Sequence, residues 1–135
     1  MIGLVLVCHS ARLAQGAAEL AAQMGGEHVR IGTAGGLEEP ADVLGTDAAR
    51  VARVIEEVWS DDGVLVLMDT GSAILSAEMA LDLLPAERRA RVLLSEAPLV
   101  EGAVAAAVAA GLGEPLERVA EIGRASSRER VFRTV

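Results

Sequence analysis

Lysine is missing from this chain of 135 residues, and all 12 basic side chains are arginine. That excludes a Walker-type phosphate lysine, a Schiff-base lysine and the lysine of a receiver domain. Cysteine is almost missing as well. Cys8 stands alone, so it cannot form an intrachain disulfide, and it has no Cys or closely spaced His partners for a structural zinc site. A reducing, cytoplasmic setting without a metal is expected. Trp59 and Phe132 are the only aromatic residues, which leaves no platform for stacking bases or a flavin. The core must therefore be aliphatic, and 52% hydrophobic residues suffice to fill one in a single domain. Positive charge is scarce. With 20 acidic against 12 basic residues the net charge is −8, so the surface repels a phosphate backbone and nucleic acid is not an expected partner. The longest small-apolar stretch, Gly102 to Gly113, is too short and too rich in Ala and Gly to span a bilayer. Met1 opens straight into an apolar run without a charged leader, and an unexported protein with no membrane span is expected.

What is present is an alternation of strand and helix patterns, the mark of βαβ units around a parallel sheet. The apolar run Ile2 to Cys8 reads as a buried parallel strand. Leu13, Ala17, Leu20, Ala21 and Met24 mark one face of a first helix, stopped by Gly25-Gly26. His28 to Ala34 makes a second strand, with His28 in a polar stretch where a solvated strand start is the simple reading. Gly35 to Gly45 is a long, glycine-rich loop with Pro40 inside, a candidate lid. Thr46 or Asp47 caps a second helix with Ala48, Val51, Ile55 and Val58 on its apolar face. Gly63 to Met68 is a third strand ending in Asp69-Thr70-Gly71-Ser72. Ser72 is read as the cap of a third helix with Ile74, Ala77, Leu81 and Leu84 inward, closed by Pro85. Arg91 to Leu94 forms a short fourth strand, an Ala-rich helix runs to about Ala110, and Pro115 opens a last helix. The expected domain covers residues 1–123. From Arg124 the pattern breaks, and residues 124–135 read as a polar tail that adds nothing to the site.

An open, mostly parallel four-stranded sheet of order 2-1-3-4, with helices on both faces, brings the ends of strands one and three together. His9 and Asp69 then meet at the carboxyl edge, where such sheets place ligands. A carboxylate that accepts from one imidazole nitrogen fixes the tautomer, leaves the other lone pair outward and stabilises the charge that develops when that nitrogen attacks. His9 is then a nucleophile suited to a phosphoryl group. Backbone N–H groups at Ser10 to Arg12, at Gly71-Ser72 and at Gly45-Thr46 would hold the phosphoryl oxygens at helix N-termini. Ser10, Thr46 and Ser72 add hydroxyls, and Arg12 is the nearest cation to that edge. A plain structural reading stands beside this one: a hydrogen-bonded core pair at His9 and Asp69, and a helix cap at Gly71-Ser72.

The segments Leu4 to Leu13, Ile31 to Gly36, Gly45 to Ala48, Met68 to Glu78 and Ala97 to Gly102 together resemble the phosphotransfer subunit of bacterial dihydroxyacetone kinase. That domain is of the mannose-type enzyme IIA class in the phosphoenolpyruvate-dependent phosphotransferase system, and the resemblance covers about residues 1 to 123 in order. It implies that His9 takes phosphate from the phosphocarrier protein HPr and passes it to ADP on the kinase's nucleotide-binding subunit. Asp69 would orient it, and Gly45-Thr46 and Gly71-Ser72 would line the phosphate. The chain itself would bind no cofactor, ADP and ATP belonging to the partner subunit, and a homodimer is implied by the class. Cys8 stands where the family commonly has Ser, a change that could make the site sensitive to oxidation. Some members continue into HPr-like and further domains, so the donor is a separate protein or the chain is part of a longer one. Two other functions stay open: the enzyme IIA of a mannose-type sugar transporter, which differs in the acceptor, and a non-catalytic regulator that binds an anion or nucleotide.

Overall fold

The computed structural model describes residues 1–36 and 45–134, with side chains described through residue 125. The middle of the expected lid, residues 37–44, lies outside the described residues. In chain order the elements are β1 (Gly3–Cys8), α1 (Ala11–Gly25), β2 (Ile31–Gly35), α2 (Ala48–Glu57), β3 (Val64–Met68), α3 (Gly71–Asp82), α4 (Ala86–Arg89), β4 (Val92–Ser95), α5 (Leu99–Gly111) and α6 (Leu116–Thr134). The four strands form one parallel sheet of order β2-β1-β3-β4, as the alternation of patterns implies. In register, Val7 lies beside Ala34 on one side and Met68 on the other, so the carboxyl ends of β1 and β3 share one edge.

Successive strand residues point to opposite faces, and the sequence uses this to build two aliphatic layers. Leu4, Leu6, Cys8, Leu65 and Leu67 face one layer together with α1, α5 and α6. Val5, Val7, Val64, Val66 and Met68 face the other, against α2 and α3. β1 and β3 are buried on both sides, which is why they read as unbroken apolar runs.

The helices replace aromatic bulk with close approach. A Cβ added at Gly25, at the end of α1, would lie 2.7 Å from the Ala107 carbonyl oxygen of α5. Between these two helices there is room only for small residues, and α1 turns Ala14, Ala17 and Ala21 inward. Leu13, Leu20 and Met24, read from the sequence as part of the inward face, are instead exposed. A larger residue is the stronger signal in a periodicity, but here the tighter contact selects the smaller one. On α3, Ala77, Leu81 and Leu84 pack inward as the sequence implies, joined by Ala73 and Ala80, while Ile74 stands exposed.

Boundaries differ where turns intervene. β2 starts at Ile31 and not at His28, because the Val29 N–H returns to the Gly26 carbonyl in a turn. β4 begins and ends one residue later than expected, so Ser95 belongs to it. A one-turn helix, α4, follows Pro85, whose fixed φ suits a helix entry. The backbone of residues 124–134, which sequence reads as a pattern-breaking tail, continues α6 to Thr134. No Gly or Pro follows Gly123, and the Arg, Ala and Glu there are good helix formers whatever their hydrophobic pattern.

Candidate functional site

His9 follows the last residue of β1, and Asp69 follows the last residue of β3. The Asp69 N–H donates to the Val7 carbonyl at 3.1 Å, which extends the β1–β3 ladder by one step and brings the two side chains face to face. His9 Nδ1 lies 2.9 Å from Asp69 Oδ1, and the His9 backbone N–H donates to Asp69 Oδ2 at 2.9 Å. The Thr70 N–H also donates to Asp69 Oδ1, at 2.7 Å. Burial of this carboxyl pushes its pKa up, but the backbone and ring hydrogen bonds from His9 and the Thr70 N–H outweigh it and hold Asp69 below the ordinary carboxylate value. An ionised carboxylate can only accept, so the proton of the neutral ring sits on Nδ1 and the lone pair on Nε2. The ring is 28% exposed against 12% for the Asp69 side chain. The carboxylate is the sheltered partner, and the imidazole faces outward.

Nε2 meets the Ser72 hydroxyl. Sequence reading makes Ser72 the cap of the third helix, but the N-cap position of α3 is Thr70, and Ser72 stands in the first turn with its Oγ directed at the imidazole. The capping contact is thus replaced by a site contact. Thr46 Oγ1 donates to the Ser72 carbonyl at 3.3 Å and lies 2.6 Å from Ser76 Oγ, tying the start of α2 to α3. Gly45 has φ of +151°, a conformation strained for any residue with a Cβ, and its N–H donates to the His9 carbonyl at 2.9 Å. That N–H is committed to the His9 carbonyl, so the Gly45 backbone offers no free donor to a phosphoryl group. Asp47, not Thr46, caps α2, accepting from the Ala49 N–H at 3.0 Å.

Ser10 caps α1, its Oγ accepting from the Leu13 N–H at 3.3 Å. Arg12 is exposed in the first turn of α1. The N–H groups of Ala11 and Arg12 on α1, and of Gly71 and Ser72 on α3, are first-turn donors without an intrahelical acceptor. Two helix N-termini therefore flank His9, and their partial positive ends favour an anion there. His28 is exposed in the turn before β2, remote in sequence and in fold from this edge.

Some supporting residues escape sequence reading. Thr70 Oγ1 lies 3.0 Å from His9 Nδ1 and adds a second oxygen on the protonated side of the ring. Ser76, one turn beyond Ser72, fixes Thr46. Gly35, at the end of β2, presses on the His9–α1 turn: a Cβ there would lie 2.7 Å from the Ser10 carbonyl oxygen and 2.9 Å from Ala11 Cα. Arg50 Nη1 donates to the Gly35 carbonyl at 2.9 Å from the α2 side. A glycine ending a strand beside the candidate site, and a serine four residues after another on one helix face, were the available signals. Cys8 corrects an expectation. It is fully buried, and burial, with Asp69 nearby, pushes its thiol up to about 12, so it is held as a neutral thiol and not as an oxidisable thiolate.

The model of the family described as PTS system fructose IIA component, EIIA-man, matches residues 3–120. The chain is 49% identical over 120 residues to the PEP-dependent dihydroxyacetone kinase phosphoryl donor subunit DhaM of Escherichia coli strain K12. That alignment covers 88% of this chain but 25% of the relative, so the chain spans about a quarter of that protein's length. A shorter relative, the phosphoryl donor subunit DhaM of PEP-dependent dihydroxyacetone kinase 2 from Listeria innocua, is 42% identical over 108 residues, with 80% of this chain and 85% of that one covered. A crystal structure of a protein of unknown function superposes with a TM-score of 0.79 at 34% identity, covering 91% of this chain and 93% of that one. The order 2-1-3-4 parallel sheet, the match over residues 3–120 and these relatives together establish that the chain belongs to the EIIA-man family.

Proposed function

We propose that this chain is a phosphoryl relay: His9 Nε2 accepts a phosphoryl group from phosphorylated HPr and passes it to ADP on the nucleotide-binding subunit of a dihydroxyacetone kinase. The observation that carries this reading is the ring orientation, with Nδ1 bound to Asp69 at 2.9 Å and Nε2 turned to the Ser72 hydroxyl at the open sheet edge. The Nε2 lone pair attacks phosphorus, the P–N bond to the donor breaks, and its electron pair returns to the donor's imidazole. Asp69 stabilises the positive charge that builds on the His9 ring. Ser72 releases Nε2 as the phosphoryl group arrives and turns its hydroxyl to a phosphoryl oxygen, beside the open N–H groups of Ala11, Arg12, Gly71 and Ser72. In the second step a terminal oxygen of ADP attacks, the bond to Nε2 breaks, and His9 returns to its neutral tautomer. ADP and ATP are held by the partner subunit.

The kinase acceptor is favoured over a sugar transporter by the named relatives at 42% to 49% identity, each a phosphoryl donor subunit of a dihydroxyacetone kinase. In the described residues no helix is long and apolar enough to cross a membrane. We place the relay in the cytoplasm, as a homodimer. The test is intact mass after incubation with phosphoenolpyruvate, enzyme I and HPr. One added phosphoryl mass, labile to acid and discharged by ADP with the kinase subunits, supports the reading; an unchanged mass leaves a non-catalytic anion-binding regulator.

A further inference from the structure

Thr70 occupies the N-cap of α3, where a threonine hydroxyl ordinarily accepts from a first-turn N–H, yet its side chain makes no such bond. Its Oγ1 lies 3.0 Å from His9 Nδ1 instead. The N–H of the same residue donates to Asp69 Oδ1 at 2.7 Å, so Thr70 touches both members of the histidine–aspartate pair. Nδ1 is thus met by two oxygens, Asp69 Oδ1 at 2.9 Å and Thr70 Oγ1 at 3.0 Å. Because the ionised carboxylate can only accept, the ring proton is on Nδ1, and the Thr70 hydroxyl oxygen accepts it as well. A helix cap is forgone for a contact with the imidazole.

We propose that Thr70 is a positioning residue that holds the Nδ1 proton while the His9 ring carries the phosphoryl group, and so sets how far into alkaline pH the relay still delivers. The inference rests on the reading of His9 as a phosphoryl carrier. With phosphorus on Nε2 and a proton on Nδ1 the ring is cationic, and when an ADP oxygen attacks, the P–Nε2 bond breaks, its electron pair stays on Nε2 and a neutral imidazole leaves. The Nδ1 proton stays on the ring throughout. A ring already stripped of that proton would have to leave as imidazolate, a far poorer leaving group. Hydrogen bonds accepted from the cationic form favour it, so each oxygen on Nδ1 extends the transfer-competent form to higher pH. Asp69 supplies the facing charge from the end of β3. Further charge at this edge comes from Arg12 on α1, from Asp47 and Arg50 at the start of α2, and from Glu78 and Glu96 in the cleft that Asp69 lines, while the Cys8 thiol is buried and neutral. All of these stay in place when Thr70 is replaced, so they act alike on wild type and variant.

The test compares Thr70→Val, which removes the hydroxyl and keeps the N–H on Asp69, with Thr70→Ser, which keeps both. Each protein is phosphorylated through phosphoenolpyruvate, enzyme I and HPr near neutral pH, and discharge to ADP with the kinase subunits is followed in single turnovers from about pH 6 to about pH 10. Phosphorus NMR of the phosphorylated protein alone, over the same range, reads ring protonation free of donor and acceptor. In Thr70→Val both the NMR transition and the alkaline limb of discharge should move about one pH unit toward acid, slowing discharge about tenfold on that limb and less than about twofold below it. The KM for phosphorylated HPr should stay within about twofold of wild type, and Thr70→Ser should restore both curves. Coincident curves for wild type and Thr70→Val would overturn the proposal. So would a rate loss equal at every pH with a lowered denaturation midpoint, which marks a structural role, or a Thr70→Ser variant that behaves as Thr70→Val. Should Thr70→Val fail to fold by circular dichroism, Thr70→Ala is read by the same criteria. A wild-type protein that takes phosphate from neither HPr nor phosphoramidate removes the relay itself, and is thereby distinguished from failure of the role of Thr70 alone.

Discussion

Asp69 holds His9 at two points, the ring through Oδ1 to Nδ1 at 2.9 Å and the backbone N–H through Oδ2 at 2.9 Å. One carboxylate thus sets both the tautomer and the position of the residue that carries it. Asp69→Asn keeps a hydrogen-bonding group but loses the negative charge, so phosphoryl transfer should slow by roughly 10- to 10⁴-fold, the scale seen when an orienting carboxylate is lost. Single-turnover transfer from phosphorylated HPr measures it, and a wild-type rate would make Asp69 purely structural.

The same pair gives a pH signature. Asp69 titrates below its ordinary value of 3.8 when folded, so its contribution to stability is fully present above that value. It is lost as the pH falls through the depressed folded value. Denaturation midpoints of wild type and Asp69→Asn should therefore differ most near neutral pH and converge on acidification below about pH 4. A gap that stays constant down to the acid limit would show that the carboxylate charge adds nothing to the fold.

Gly35→Ala tests the strut behind the turn. The new Cβ would lie 2.7 Å from the Ser10 carbonyl oxygen, 2.9 Å from Ala11 Cα and 2.9 Å from Ala14 Cβ, all on backbone or rigid groups. We expect a loss of about 1–3 kcal/mol in urea denaturation, the usual cost of overpacking, together with slower phosphorylation as the start of α1 shifts. Unchanged stability would mean that β2 and α1 can part without cost.

Cys8 should be inert. Fully buried, with its thiol pushed up to about 12, it should resist iodoacetamide at pH 8 in the folded protein and react once urea unfolds the chain. Cys8→Ser should preserve transfer but cost about 1–3 kcal/mol, because a hydroxyl is then buried among Leu6, Leu67 and alanines. Rapid alkylation of the native protein would contradict the burial.

Arg12 is exposed at the anion-favouring end of α1 on a surface of net charge −8. Arg12→Ala should slow both the donor and the acceptor step without unfolding the domain, and the wild-type rate with HPr should fall as salt rises to about 0.5 M. Stopped-flow or quenched transfer assays read both. A rate flat across that salt range would refute electrostatic steering of the donor.

The strands were legible because β1 and β3 are buried on both faces, so their sequence carries no polar interruption, and the edge they share sets His9 opposite Asp69. The inner faces of α1 and α3 were legible only in part: Ala17, Ala21, Ala77, Leu81 and Leu84 pack inward as read, whereas Leu13, Leu20, Met24 and Ile74 do not. Leu13, Leu20 and Met24 dominate the periodicity of α1, yet its close approach to α5 admits only alanine and glycine, and such contacts leave no hydrophobic signal above that of the exposed leucines. Ser72 fits a helix-cap pattern equally well by sequence. Only the backbone shows Thr70 in the cap position and the serine turned to the imidazole. Thr70 and Ser76 were invisible for the same reason: their roles depend on which nitrogen of His9 lies near them and on where the start of α2 meets α3.

The central claim is that phosphate resides on Nε2 of His9, the nitrogen that Asp69 leaves unprotonated. Phosphorus NMR of the protein phosphorylated through phosphoenolpyruvate, enzyme I and HPr separates the two phosphohistidine isomers. We predict a single Nε2-phosphohistidine resonance in wild type and none in His9→Ala, whose circular dichroism stays native. A resonance of the Nδ1 isomer, or a phosphohistidine signal that survives His9→Ala, would contradict the account.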